Sequence, residues 1–317
     1  MASPEKVSVV IPCYNRQEIL PRSIDSVLAQ SIRPSEIIVV DDGSQDHSAE
    51  VAEAYGAPVT VIRQANAGAA AARNRGIEAA NGEWIAFLDS DDEWHPEKIK
   101  RQLDASRRFP GADLIFCDTM TRSADRILMP SRFSLGGLYG AEVQRDGDKL
   151  LFGPDLFQRM ITQSRVITSA AMVRGGLAGF AFPEDIWGSE DWALWLDLAK
   201  HYTFAAVDQI LVTMHQQGDN ISGTKGRLYR NDVKVIERLL ECGELTDVER
   251  QHIRAVLQQR RVGAVYHSLV RGEGAEAREI LRDIPPGNLG RLKRLAYNGF
   301  SFLPRKLACR IAALRGC

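Results

Sequence analysis

Apolar runs alternate with helical spacings along the first third of the chain. Residues 7–11 (VSVVI) form an apolar run ending at Pro12. Ile19, Leu20, Ile24, Val27 and Leu28 then fall at helical spacing over residues 19–29. The alternation continues with a strand at 36–40 (EIIVV), a short helix at 48–55 and a strand at 59–63. An Ala-rich helix is expected at 69–80, a strand at 84–88 (WIAFL), a helix at 98–108 and a strand at 113–117 (DLIFC). Strands separated by helices imply βαβ units and a mostly parallel sheet. Runs that are apolar throughout are expected where both faces of a strand are covered.

The pattern then changes. Residues 119–174 are irregular and contain several glycines. A strongly apolar helix is expected within 185–200, and strands at 203–207 and 210–213. Beyond about 225 the spacing is helical throughout. Thr246 and Glu249 stand at capping-box spacing before one such helix. Pro285 and Pro286 interrupt the pattern ahead of the basic tail, and the change of texture near 225 divides the chain into domains at 1–225 and 226–317.

Composition narrows the class. With 44% hydrophobic and 26% charged residues, the 317-residue chain has material for a sizeable core. The formal net charge is −1, which argues against nucleic-acid binding through bulk positive charge. That total conceals an asymmetry. Residues 286–317 hold seven Lys and Arg and no acid, so the other 33 basic residues face all 41 acids. No apolar run approaches the ~18 residues of a spanning helix. The start, MASPEKVSVVIPCYN, lacks the pattern of a signal peptide. The five cysteines are scattered and form no CxxC pair, so reduced thiols in a cytoplasmic protein are expected.

In open α/β sheets ligands bind beyond the carboxyl ends of the strands. Asp89, Asp91 and Asp92 crowd one such end. Like charges so close repel, and a divalent cation such as Mg²⁺ or Mn²⁺ would relieve them. A solvated turn that caps the next helix would use the same residues. Asp41 and Asp42 end another strand, where a carboxylate could accept from a base or a ribose, or simply make a turn. Tyr14 offers an aromatic face, and Asn66 to Gly68 could present backbone N–H groups to an anion. Arg73 and Arg75 could add positive charge near phosphates.

VSVVIPCYN, EIIVVDDGSQD, NAGAAAARNRGI and NGEWIAFLDSDDEWHPEKI occur in this order. Together they resemble family 2 glycosyltransferases, closely over about residues 6–110 and more weakly to about 225. The resemblance implies the GT-A fold, an α/β, Rossmann-like and mostly parallel central sheet flanked by helices, here with a C-terminal helical extension. It implies a UDP- or other NDP-sugar donor, with Pro12, Tyr14, Asn15 and Asp42 at the nucleoside. Asn66, Gly68 and Arg73 would lie near the diphosphate. Asp89 and Asp91 match the DxD motif, with Asp91 as metal ligand and Asp89 between ribose and metal. His215 matches a His that approaches the metal or diphosphate. Glu190 and Asp191 match the acidic pair that supplies the base, Asp191 being our choice. The implied reaction is inverting transfer to a glycan or lipid-linked glycan acceptor, with Mn²⁺ or Mg²⁺ as cofactor.

The basic tail, residues 288–317, mixes its charges with Leu292, Leu295, Phe300 and Phe302. It has two readings: a surface helix on an anionic membrane, or a helix packed on the acidic body. Two other functions stay open. A nucleotidyltransferase of related fold would want a Gly-rich basic loop where this chain has PCYNRQE. A non-catalytic nucleotide-sugar-binding module would not need Asp191. Donor sugar, acceptor and oligomeric state are not encoded in any motif.

Overall fold

The computed structural model describes residues 5–135, 143–162, 166–216, 225–241 and 245–302. The chain forms two compact units, Met1–Gln217 and Gly218–Cys317. The first unit begins β1 (Val7–Cys13), α1 (Leu20–Leu28), β2 (Glu36–Asp41), α2 (Ser48–Glu53), β3 (Val59–Arg63) and α3 (Ala69–Ala79). It continues β4 (Trp84–Phe87), β5 (Glu93–Trp94), α4 (Lys98–Arg108), β6 (Leu114–Arg122) and β7 (Ile127–Met129). It closes with β8 (Val143–Asp146), β9 (Lys149–Phe152), α5 (Leu156–Met160), β10 (Met172–Arg174), α6 (Glu190–Ala199) and β11 (Phe204–His215).

One sheet runs in the order β3-β2-β1-β4-β10-β6-β11-β9-β8, with β5 on β11 and β7 on β6. The pairs β3–β2, β2–β1 and β1–β4 are parallel. Every residue of β1 and β4 is buried. Val7, Val9 and Ile11 join a core with Leu20, Ile24 and Val27 of α1 and Ile99 and Leu103 of α4. Each such side chain contributes about 1.5–3 kcal/mol by leaving water. On the other face α3 lies directly on β1. A Cβ on Gly76 would stand 2.3 Å from Val10 Cγ1, so glycine is what permits that approach. One turn earlier on the same helix is Arg73.

The second half of the sheet departs from the expected parallel order. β10 comes from the irregular stretch and inserts antiparallel between β4 and β6. The two strands expected at 203–207 and 210–213 are a single strand, β11. Asp208 and Gln209 interrupt its apolar run, and the register shifts there as at a bulge. β5, two residues long, was not visible as a strand in the sequence pattern; it pairs antiparallel with β11.

The second unit is helical: α7 (Lys225–Glu241), α8 (Asp247–Val270), α9 (Gly274–Arg282) and α10 (Arg291–Ser301). The capping box forms, with Glu249 N–H donating to Thr246 Oγ1 and Thr246 N–H to Glu249 Oε2. Tyr297 and Phe300 of α10 pack on Val265, Leu269 and Leu281. The first helix of the basic tail is therefore seated on its own helical unit. The remainder of the tail, 303–317, lies outside the described residues. No helix among the described residues is long and apolar enough to cross a membrane.

Candidate active site

The parallel strands β1, β2 and β4 end at one edge of the sheet, and the loops that leave them carry most of the expected residues. Pro12 is buried within β1 opposite Val40. Tyr14 follows, 43% exposed. Asn15 adopts a positive φ of 53°. Its N–H donates to Ser44 Oγ (2.9 Å), and its Oδ1 accepts from Gln45 N–H (2.8 Å). The first strand-end loop is thus fastened to the second.

Asp42 is buried and already well partnered. Its Oδ1 accepts from Gln64 Nε2 (2.8 Å) and Ala67 N–H (2.9 Å), and its Oδ2 from Gly68 N–H (2.8 Å). Asn66 Nδ2 donates to the Asp42 carbonyl (2.9 Å). The N–H groups expected to meet a ligand anion before α3 meet this carboxylate instead. The next residue must be glycine: Gly43 has φ 75°, and a Cβ there would lie 2.8 Å from Asn66 N. Asp41 differs from its neighbour. It is buried, and its Oδ1 has no hydrogen-bond partner among the described residues. Of the two carboxylates, Asp41 has the unspent acceptor.

Arg73 ties three distant parts of the chain together. Its Nη2 is 2.7 Å from Asp89 Oδ1, just beyond β4, and its Nη1 is 2.9 Å from Glu190 Oε1 at the start of α6. The guanidinium is buried and stands over the Phe182 ring, 5.2 Å from the centroid. A buried charge is costly unless paired, and here one cation serves two carboxylates. The next residue, Asp191, sits in the first turn of α6. Its Oδ1 accepts from Trp192 N–H (2.7 Å) and its Oδ2 from Thr168 Oγ1 (3.3 Å). Burial and the adjacent Glu190 charge push the Asp191 carboxyl up to about 7, against the opposing pull of Arg73. A carboxylate in that range can take a proton near neutrality. The indoles around it differ: Trp192 and Trp195 are core, and Trp187 is 40% exposed.

The acidic loop after β4 is held on two sides. From α1, Arg22 Nη2 donates to the Asp91 carbonyl (2.7 Å) and Ser23 Oγ to the Asp92 carbonyl (2.8 Å). From the turn Thr168–Ala170, Ser169 Oγ accepts from Asp89 N–H (3.1 Å) and donates to Asp92 Oδ2 (2.5 Å). The Asp92 carboxyl is pushed well above the usual range by burial, then by the charges of Asp91 and Asp89. His215, at the end of β11, has Nε2 3.2 Å from Glu93 Oε2. The ring nitrogen expected to approach a metal therefore already has a carboxylate beside it. Burial, and then the charge of Arg22, hold the His215 pKa below its ordinary value.

Among the described residues, no three His, Cys, Asp or Glu side chains form a metal-holding group. Mg²⁺ and Mn²⁺ do not require one, since one or two carboxylates with waters and phosphate oxygens complete the shell. The donors at this loop are hard oxygens, and their mutual repulsion raises Asp92. That donor set fits a hard divalent cation.

Three contributors were not singled out in the sequence. Arg22 and Ser23 lie on an ordinary amphipathic helix, and only the fold shows that they reach the acidic loop. Ser169 lies in the irregular stretch, where no spacing marked it. Asp41 was legible, but sequence alone could not divide its role from that of Asp42.

The structure thus joins an Arg-linked acidic site to the strand ends of an α/β sheet. Residues 8–157 match the model of Glycosyl transferase family 2, and this region of the chain belongs to that family. An uncharacterized glycosyltransferase, YibD of Escherichia coli K12, is 46% identical over 99 residues, 30% of this chain and 29% of that protein. An uncharacterized glycosyltransferase of Rickettsia felis is 32% identical over 218 residues, 67% of this chain and 33% of that protein. The match to these curated relatives spans about a third of their length. The crystal structure of S. aureus TarS 1–349 superposes with a TM-score of 0.65 at 17% identity, covering 98% of this chain and 92% of that one. TarS has also been solved with UDP-GlcNAc (TM-score 0.63). The mannosyltransferase PcManGT of Pyrobaculum calidifontis, solved with GDP-Man and Mn²⁺, superposes at 0.56 with 15% identity, covering 98% and 86%. These likenesses establish the GT-A fold.

Proposed function

We propose that this chain is an inverting glycosyltransferase that moves a sugar from a nucleoside diphosphate donor, UDP-linked in our reading, to an acceptor hydroxyl. The observation that carries it is the joining of Asp89, Arg73, Glu190 and Asp191 at the strand ends, with Asp191 tuned to about 7. The nucleoside lies along Tyr14 and the Asp41–Asp42 loop, where the orphaned Asp41 oxygen is an acceptor for a base N–H. Arg73 fixes Asp89 toward the ribose and diphosphate. Asp191 accepts the acceptor's proton as the hydroxyl oxygen bonds to the anomeric carbon. The bond from that carbon to the diphosphate oxygen breaks, and the nucleoside diphosphate leaves with the electron pair. Asp91, with Asp89 beside it, would hold Mn²⁺ or Mg²⁺, which when bound offsets charge on the leaving diphosphate.

The acceptor is read as a glycan or lipid-linked glycan in surface polysaccharide or glycoconjugate synthesis. The enzyme would work at the cytoplasmic face, with peripheral membrane contact through residues 288–317. The test is a panel of nucleotide sugars with Mn²⁺ and the purified full chain, scored for nucleoside diphosphate release and donor binding. Release from at least one donor is expected. Binding without release, even with candidate acceptors, would favour a non-catalytic module; pyrophosphate formation from a sugar phosphate and a nucleotide would favour nucleotidyl transfer.

A further inference from the structure

One buried group takes no part in this mechanism. Lys98 is the first residue of α4 and is 0% exposed. Its Nζ has no hydrogen-bond partner among the described residues. A lysine is almost never fully buried unless paired, and its stem gains little that leucine or methionine would not supply. A cation in the first turn also opposes the helix dipole. Burial pulls its pKa down to about 7, and the nearby Cys117 thiol, pushed up to about 12 by its own burial, supplies no compensating anion. Stability alone does not explain this residue.

The amine does meet the face of Trp94, with Nζ 3.6 Å from the ring centroid. An ammonium is held there by the ring quadrupole, and a neutral amine can still direct an N–H at the ring. The other side of the argument is what Trp94 does. Its Nε1–H donates to the Ser169 carbonyl (2.7 Å), and its backbone N–H donates to Ser26 Oγ (3.1 Å). Ser169 is the residue whose Oγ grips both Asp89 N–H and Asp92 Oδ2. The contacts form one line: amine, indole, Ser169, acidic loop.

We propose that Lys98 is a positioning residue for sugar transfer, locking the Trp94 indole that holds Ser169 and, through it, the conformation of the Asp89–Asp92 loop. The role of the loop rests on the glycosyltransferase reading; the way it is held does not. Lys98 thus trades core stability for a fixed loop, which separates it from an ordinary core residue: removing its amine should leave the fold intact and loosen the site.

The experiment compares the full chain with Lys98→Met, Trp94→Phe and the double variant. It measures thermal midpoint, amide hydrogen exchange at Asp89 and steady-state kinetics. Lys98→Met is expected to melt no lower than wild type while Asp89 N–H exchanges at least about tenfold faster. Its kcat should fall by about ten- to a hundredfold with KM little changed, as small misplacements near chemistry do. Trp94→Phe, which keeps an aromatic face but removes the pyrrole part of the indole with its N–H, should show the same exchange and kcat changes. The double variant should be no worse than either single, as for residues on one path. Unchanged Asp89 exchange in both single variants would overturn the proposal. So would a kcat loss that merely tracks a lower melting point, or additive losses in the double. If the wild type transfers no sugar from any donor, the functional reading fails, and the exchange arm still decides whether Lys98 holds the loop.

Discussion

Two acidic loops leave neighbouring parts of the same sheet, and they are neutralised differently. Asp42, beyond β2, is satisfied by the chain itself: two backbone N–H groups and one side-chain amide donate to its carboxylate. Beyond β4, Arg73 reaches Asp89 and the Ser169 hydroxyl reaches Asp92, whose carboxyl is raised first by burial and then by the charges of Asp91 and Asp89. The first arrangement builds a loop and fixes the start of α3. The second crowds carboxylates whose charges act on a buried Asp92, an arrangement a folded protein keeps at a cost. Similar runs of Asp thus serve different ends, and the difference lies in who donates to them.

The largest expected effect is at the second site. Asp191→Asn should lower kcat by about 10²–10⁴-fold while leaving donor affinity and melting temperature near wild type. Near-normal turnover would remove Asp191 from the base role. Next is Arg73→Met, which strands Asp89 and Glu190. Breaking a buried pair in this way should destabilise by about 3–5 kcal/mol in urea denaturation, and an unchanged midpoint would show that the two acids find other partners.

The comparison itself is sharpened by Asp42→Ala set against Asp91→Ala. Removing Asp42 orphans its three donors and should cost about 1–3 kcal/mol of stability. Asp91→Ala should leave the urea midpoint almost unmoved yet abolish the Mn²⁺-dependent part of UDP binding in calorimetry. The reverse pattern would mean that the structural and ligand-holding loops have been exchanged. The smallest expected effect is at His215. His215→Gln should weaken metal-dependent binding only severalfold, because its Nε2 faces Glu93. A loss as large as that of Asp91→Ala would make His215 a direct ligand.

The parallel half of this fold was legible because its strands are buried on both faces. VSVVI, EIIVV and WIAFL read as strands without knowledge of what covers them, and their ends pointed to Tyr14, Asp42 and Asp89. The antiparallel insertion of β10 was not legible, since three residues within an irregular stretch carry no period. Ser169 was lost with it. Arg22 and Lys98 stayed hidden for a different reason: charged residues on helices usually face water, and only tertiary contacts show that these two reach the back of the site. The link from Arg73 to Glu190 spans 117 positions, which no local pattern encodes.

Asp191 in this account is a base whose affinity for protons is raised by burial and by Glu190 and opposed by Arg73. The pH dependence of kcat under saturating donor tests it most directly. Transfer needs the ionised carboxylate, so kcat should rise with pH through about 7 and then level off. Glu190→Gln removes the like charge and leaves Arg73 closer to Asp191 in effect; both changes favour ionisation, so the rising limb should move to lower pH. A limb that stays in place in Glu190→Gln, or a kcat independent of pH from 5 to 8 (roughly the range in which such a group titrates), would contradict the account.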